Sequence, residues 1–169
     1  QIKEFISEKN IVKKFIDNRI YYGKHSTNSS DVQAVKNVIL NKPLTQGSEI
    51  EKLEEKICEY VGCKYAVAVS SCTAGLHLSY IAGGINKNNK IVTSPITFVS
   101  TANAAQFCSS DIDFVDIEKE TINIDPYLVS KKVKNNKNIS AIVPVHFGGL
   151  PSNVKKIKSL CKNKLIIED

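Results

Sequence analysis

The stretch Tyr65-Ala66-Val67-Ala68-Val69-Ser70-Ser71-Cys72-Thr73-Ala74-Gly75-Leu76-His77-Leu78 decides how the rest of the chain is read. It passes from a short apolar run, through small hydroxyl residues, into a helical apolar spacing. That is the pattern of a strand turning directly into a helix. The unit recurs downstream. Ile91–Ser94, Asp113–Ile117, Ala141–Phe147 and Lys164–Glu168 read as strands, while Thr97–Phe107, Pro126–Val133 and Ser152–Lys162 read as helices. Strands alternating with helices of this length predict an α/β fold with a largely parallel sheet and flanking helices. Ligands of such sheets bind outside the carboxyl ends of the strands. Those ends are Ser70–Thr73, Ser94–Phe98, His146–Gly149 and Asp169, which are expected to converge on one crevice.

Upstream of Tyr65 the texture differs. Residues 2–19 carry Ile2, Phe5, Ile6, Val12, Phe15 and Ile16 at roughly helical spacing and predict a helical extension over 1–20. Residues 21–30 read as a polar loop. A further helix is expected to start at Ser30 or Asp31, either serving as cap, and to run to about Leu40. Pro43–Gly47 is a connector. Residues 48–61 place Ile50, Leu53, Ile57 and Tyr60 on one face, with Ser48 as the expected cap.

With 169 residues, 42% apolar and 24% charged, the composition suits one ordinary globular domain. No apolar run approaches the roughly 18 residues of a membrane span. The net charge is +6, yet Arg19 is the only arginine, and the lysine clusters at Lys131–Lys137 and Lys155–Lys164 read as solvated helix faces. A nucleic-acid surface calls for arginines with interleaved aromatics, so no nucleic-acid partner is expected. The five cysteines, Cys58, Cys63, Cys72, Cys108 and Cys161, form no C-x-x-C pair. An odd count of this kind fits a reducing cytoplasm better than a disulfide scaffold, and no metal site is expected.

The residues that could carry chemistry sit at the strand ends. Ser71, Cys72, Thr73 and Ala74 open a helix, where free amides, the positive dipole end and small hydroxyl side chains suit a phosphate. A plain helix cap is the competing reading. No dinucleotide fingerprint or P-loop is present. Asp169 ends an apolar strand, where a partly desolvated carboxylate calls for a charged partner; a protonated ring nitrogen, a metal and an arginine all qualify. Phe98 could stack on a flat ring or fill the core, and His146 could neighbour a cofactor or be a satisfied core histidine. No G-x-S-x-G elbow supports a hydrolase.

Taken together, Leu44–Gly47, Tyr65–Leu78, Thr93–Asn103, Val143–Gly149 and Ile167–Asp169 resemble, in order and spacing, the DegT/DnrJ/EryC1/StrS family of sugar aminotransferases. The resemblance spans about residue 21 to Asp169, with residues 1–20 outside it. It implies part of the large domain of the type I fold of pyridoxal 5'-phosphate enzymes over 21–169. Ser71, Cys72, Thr73 and Ala74 would then line the cofactor's phosphate site. Phe98 would stack on the pyridine ring, Asp169 would hold its protonated nitrogen, and His146 would lie beside it. Thr45, Gln46 and Gly47 would lie near the sugar. The implied reaction moves an amino group from an amino acid, glutamate foremost, to a nucleotide-linked 4-keto-6-deoxy sugar in a homodimeric enzyme. Ser94–Ala104 is most similar to the branch that aminates a UDP-sugar on the way to pseudaminic acid.

Two departures accompany the resemblance. Cys72 stands where the family usually has Gly or Ala. The family's Schiff-base lysine is expected beyond Asp169, so no catalytic residue is assigned within the chain, and the chain alone is expected to be inactive. A dehydratase of the same family, in which histidine replaces that lysine, and a non-catalytic remnant or dimer partner are the alternatives.

Overall fold

The computed structural model describes residue 21 and residues 23–169. The helix expected over 2–19 lies outside the described residues. The chain divides into two compact units, Gln1–Ala66 and Val67–Asp169.

In the first unit, α1 (Ser29–Asn41) starts two or three residues earlier than expected, because Asn28 is its cap. The Asn28 side chain accepts from the Ser30 amide at 2.7 Å, and Asp31 accepts from the Asn28 amide at 2.8 Å. Each satisfies an amide that the helix cannot, so Ser30 and Asp31 lie inside the helix rather than at its cap. Helix α2 (Ser48–Val61) is capped by Gly47 with no side-chain bond, so Ser48 is also inside. It ends at Gly62, whose amide bonds the Cys58 carbonyl at 2.9 Å.

The second unit carries the sheet. Its elements are α3 (Cys72–Ala82), β1 (Lys90–Thr93), α4 (Ser100–Phe107), β2 (Asp111–Phe114), α5 (Pro126–Asn135), β3 (Ile139–Val143), α6 (Val154–Leu160) and β4 (Leu165–Ile166). The order is β2-β1-β3-β4, and all pairings are parallel. Pairing with β1 starts β2 at Asp111, two residues before the expected start. Beyond Val115 the chain leaves the ladder, and Ile117 instead bridges Ile124. Pro144 has no N–H, which ends β3 at Val143 rather than at Phe147. Asn153 caps α6 by accepting from Lys156 N at 3.1 Å, so that helix is shorter than Ser152–Lys162.

Both faces of the sheet are covered, as parallel sheets require. On one face Ile91, Ala141 and Val143 pack with Leu76, Tyr80, Ala104 and Ala105 from α3 and α4. On the other, Val92, Ile139 and Ile142 pack with Val129 and Ile157 from α5 and α6. Lys90 pairs with Ile139 but Ile91 pairs with Ala141, so Ser140 is an extra residue in β3. That bulge lets Ile139 and Ile142 share a face, where a regular two-residue period would separate them.

One expected strand is not in the sheet. Among the described residues the four strands of the sheet do not include Tyr65–Ser70, and Val67 and Val69 remain 76% and 42% exposed. Apolar character gave the run its strand reading, but a strand exists only where a neighbour completes its ladder.

Candidate functional site

The carboxyl ends of the strands do converge. After β4 the backbone continues alongside β3: Ile167 N bonds Ile142 O at 3.1 Å and Asp169 N bonds Pro144 O at 3.0 Å. His146 N returns a bond to Asp169 O at 2.8 Å. Asp169 is thereby fixed at the end of the sheet by two backbone bonds to the segment Pro144–His146. Its side chain is half-buried among elements far away in sequence. Thr101, in the first turn of α4, bonds Oδ2 through its hydroxyl, and Cys72 Sγ, at the start of α3, lies 3.5 Å from Oδ1. Thr97 Oγ1 lies 2.7 Å from Thr101 Oγ1. The site thus joins the ends of β1, β3 and β4 to the start of α3.

At that helix start the chain forms a cap. Ser71 is the cap, its hydroxyl accepting from Ala74 N at 3.2 Å and its carbonyl from Gly75 N at 3.1 Å. The amides of Cys72 and Thr73 precede any intrahelical acceptor, so they remain donors for a ligand at the positive end of α3. Cys72 is largely exposed, with its thiol only partly shielded from water, and Thr73 and Ala74 are half-buried.

The Cys72 thiol is raised above its ordinary range, first by burial and then by the Asp169 carboxylate. Burial, with a contribution from Asp169, also pushes the Tyr80 phenol well up, and that phenol donates to the Thr101 carbonyl at 2.9 Å. Phe98 is 75% exposed, so it is not a core phenylalanine.

His146 is held by four bonds, one of them from Gly149 N to its carbonyl at 3.0 Å. Ser152 N donates to its Nδ1 at 3.0 Å, its Nε2 lies 3.1 Å from Glu168 Oε2, and its own amide bonds Asp169 O. A backbone N–H can only donate, so Nδ1 accepts and Nε2 carries the proton towards Glu168. The turn after it, Phe147–Gly149, has Gly148 and Gly149 in left-handed conformations at φ 61° and 85°. Two consecutive positive-φ positions explain the Gly-Gly pair without recourse to a ligand.

Sequence reasoning missed the residue that holds this turn. Asn123, 3% exposed, accepts from Phe147 N at 3.0 Å and donates to Leu150 O at 3.0 Å. The preceding Ile122 sits at φ 60°, a conformation costly for a β-branched side chain. The available signal was a polar Asn between two isoleucines just ahead of the Asp125-Pro126 helix start. Thr97 and Thr101 were missed too; Thr97 lies just ahead of α4 and Thr101 in its first turn, so no helical period marks their contact in the sequence.

Thr45, Gln46 and Gly47 belong to the first unit. Thr45 and Gln46 are exposed, and Gln46 has φ 53°. A Cβ on Gly47 would stand 2.7 Å from Pro43 O, so the turn itself demands glycine there. Lys42 and Glu49 pair across this turn, and Lys52 joins Glu49 at 2.9 Å. The two ammonium groups hold the Glu49 carboxyl down at about 2.

The arrangement fits a flat anionic cofactor. Small residues and spare amides stand at a helix N-terminus, an exposed aromatic ring lies in the loop between β1 and α4, and a carboxylate has one oxygen contacted only by a thiol, a weak donor. Among the described residues no three metal-ligating side chains cluster.

Comparison with known proteins agrees. Residues 25–169 match the profile of the DegT/DnrJ/EryC1/StrS aminotransferase family. A UDP-4-amino-4,6-dideoxy-N-acetyl-β-L-altrosamine transaminase from Campylobacter jejuni is 36% identical over 152 residues, covering 89% of this chain and 40% of that protein. Helicobacter pylori PseC, an aminotransferase involved in the biosynthesis of pseudaminic acid, superposes with a TM-score of 0.80 at 30% identity, covering 90% of this chain and 41% of that one. A Streptococcus pneumoniae chain solved in a PLP form gives a TM-score of 0.82 at 16% identity, a likeness of fold alone, over 89% of this chain and 42% of that one. The chain therefore has part of the large-domain fold of these enzymes, and it spans about 40% of the length of the transaminase it matches.

Proposed function

Because the chain belongs to the DegT/DnrJ/EryC1/StrS aminotransferase family, we propose that residues 21–169 are the cofactor-docking part of a pyridoxal-phosphate-dependent sugar aminotransferase. The substrate class is a UDP-linked 4-keto-6-deoxy sugar and the nitrogen donor is an amino acid, glutamate foremost. The likeness to the Campylobacter jejuni transaminase supports that substrate class. The observation that carries the reading is the convergence of Cys72, Thr101 and His146 on Asp169 at one end of a parallel sheet.

In this reading the α3 start, with the Ser71 and Thr73 hydroxyls and the Cys72 and Thr73 amides, binds the phosphate. Ala74 leaves it room. Phe98 covers a ring face, and Asp169 accepts from the ring nitrogen. A bound cofactor would supply an electron sink for the reaction. Asp169 keeps the ring nitrogen protonated, because a carboxylate beside a cation favours the charged form. His146, with its Nε2 proton committed to Glu168, orients the wall of the site rather than exchanging protons. None of this chain's lysines stands in the family's Schiff-base motif, and we assign the lysine that binds the cofactor covalently to the remainder of the protein. Thr45, Gln46 and Gly47 are assigned to the sugar. A cytoplasmic homodimer accompanies the reading, supported by the free state of the five cysteines and by the family resemblance.

The test uses the whole protein that carries this chain. Incubated with pyridoxal phosphate, L-glutamate and a UDP-linked 4-keto-6-deoxy sugar, it is expected to release 2-oxoglutarate and an amino sugar seen by mass spectrometry. Absence of both products across UDP-, GDP- and dTDP-linked keto sugars would overturn the reading.

A further inference from the structure

The hydroxyl groups beside Asp169 form a wire whose direction can be deduced. An ionised carboxylate only accepts hydrogen bonds. Thr101, which bonds Asp169 Oδ2, therefore donates its single hydroxyl proton there. That leaves Thr101 Oγ1 only its lone pairs, so in the 2.7 Å contact with Thr97 the donor is Thr97. The order is Thr97 to Thr101 to Asp169, each hydroxyl strengthening the next as a donor. Thr101 has no freedom to do otherwise. It is fully buried, and its carbonyl is engaged by the Tyr80 phenol, itself fully buried, at 2.9 Å.

The two carboxylate oxygens are thus unequal. Oδ2 receives a strong, charge-assisted bond from a rigid donor. Oδ1 faces the Cys72 thiol at 3.5 Å, a weak donor that a better one can displace. The backbone of Asp169 is pinned to Pro144 and His146, so the side chain's remaining freedom lies in its own torsions, and Thr101 removes it.

We infer that Thr101 is a positioning residue for Asp169, locking Oδ2 so that Oδ1 is the oxygen presented to a protonated ring nitrogen, with Thr97 as the upstream donor. The inference rests on the proposed cofactor reading for the identity of that ring. The holding of Asp169 by Thr101 stands without it.

The experiment uses the whole protein that carries this chain and compares wild type with Thr101→Val, Thr101→Ser and Thr97→Val. Without any cofactor, NMR couplings report the Asp169 side-chain torsion. One fixed rotamer is expected in the wild type and in Thr101→Ser, and averaging is expected in Thr101→Val. A single unchanged rotamer in Thr101→Val overturns the inference. Thr97→Val, at a half-buried position that leaves the α4 core intact, guards against a folding defect. It should keep the rotamer and show only a weakened effect on binding. With pyridoxal phosphate labelled with ¹⁵N in its ring, Thr101→Val is expected to bind about tenfold more weakly, the loss of one hydrogen bond to a charged group. Its ring ¹⁵N signal should move towards the unprotonated position, and Thr101→Ser should restore both. Equal affinity and equal ¹⁵N shift in wild type and Thr101→Val overturn the presentation of Oδ1. Failure of the wild type to bind pyridoxal phosphate counts against the cofactor reading, while the rotamer measurement still decides the role of Thr101.

Discussion

Two apolar runs of the second unit read alike in the sequence and differ in the folded chain. Ile91 and Val92 of β1, with Ala141–Val143 of β3, are fully buried. Val67 and Val69 are 76% and 42% exposed, outside the sheet. The difference is one of partners rather than hydropathy. β1 has β2 on one side and β3 on the other, and helices cover both faces. Burial of a strand is thus a property of the pairing around it, which composition cannot report.

The largest expected effect sharpens this contrast. Ile142→Ala removes a fully buried side chain from the face covered by α5 and α6. It should cost about 3 kcal/mol or more, the usual range for such a cavity. Val67→Ala should stay within about 0.5 kcal/mol, because its side chain already meets water. Urea unfolding of the two variants measures both. Equal losses would show that the Val67 run is packed in solution and would break the contrast.

A middle-sized effect lies in the loop that the paired region supports. Asn123→Ala leaves the Phe147 amide and the Leu150 carbonyl without their partners and should cost about 2 kcal/mol. Hydrogen exchange should speed up at Phe147 while the Ile91 and Ile142 amides stay protected. Asn123→Asp keeps the acceptor for Phe147 N and loses the donor to Leu150 O, so Phe147 protection should survive there. Uniform loosening in both variants would mean that Asn123 is a general core residue and not a clamp.

Legibility followed the same divide. The alternation of strands and helices after Ile91 was readable because each element carries its own period and its own breakers, such as Pro126 and Pro144. The convergence on Asp169 followed from parallel topology alone, before any distance was known. Element ends were less readable. Asn28 and Asn153 outcompeted neighbouring hydroxyls and carboxylates as caps, and the Ser140 bulge leaves no mark in composition. Thr101 and Asn123 were not readable as site residues, because their importance lies in contacts made across 68, 24 and 27 residues of sequence.

The smallest effect tests the point where the two runs come together. Cys72 lies just beyond the exposed run, with Ser71 between, and its thiol touches the carboxylate that ends the paired region. Burial is the first cause of its raised pKa and Asp169 the second. A thiol raised in this way reacts only at higher pH, because the thiolate is the nucleophile. Asp169→Asn removes the negative charge and leaves the burial. The pH profile of Cys72 alkylation by iodoacetamide, followed by peptide mass spectrometry, should therefore shift to lower pH without reaching that of an unhindered thiol. At pH 8 the variant should react severalfold faster than wild type, with Cys108, which is raised by burial alone, unchanged as the internal control. An identical Cys72 profile in both proteins would mean that thiol and carboxylate do not meet in solution. Asp169 would then be tied to the end of the sheet by its backbone and Thr101 alone, with no contact to the segment that follows the exposed run.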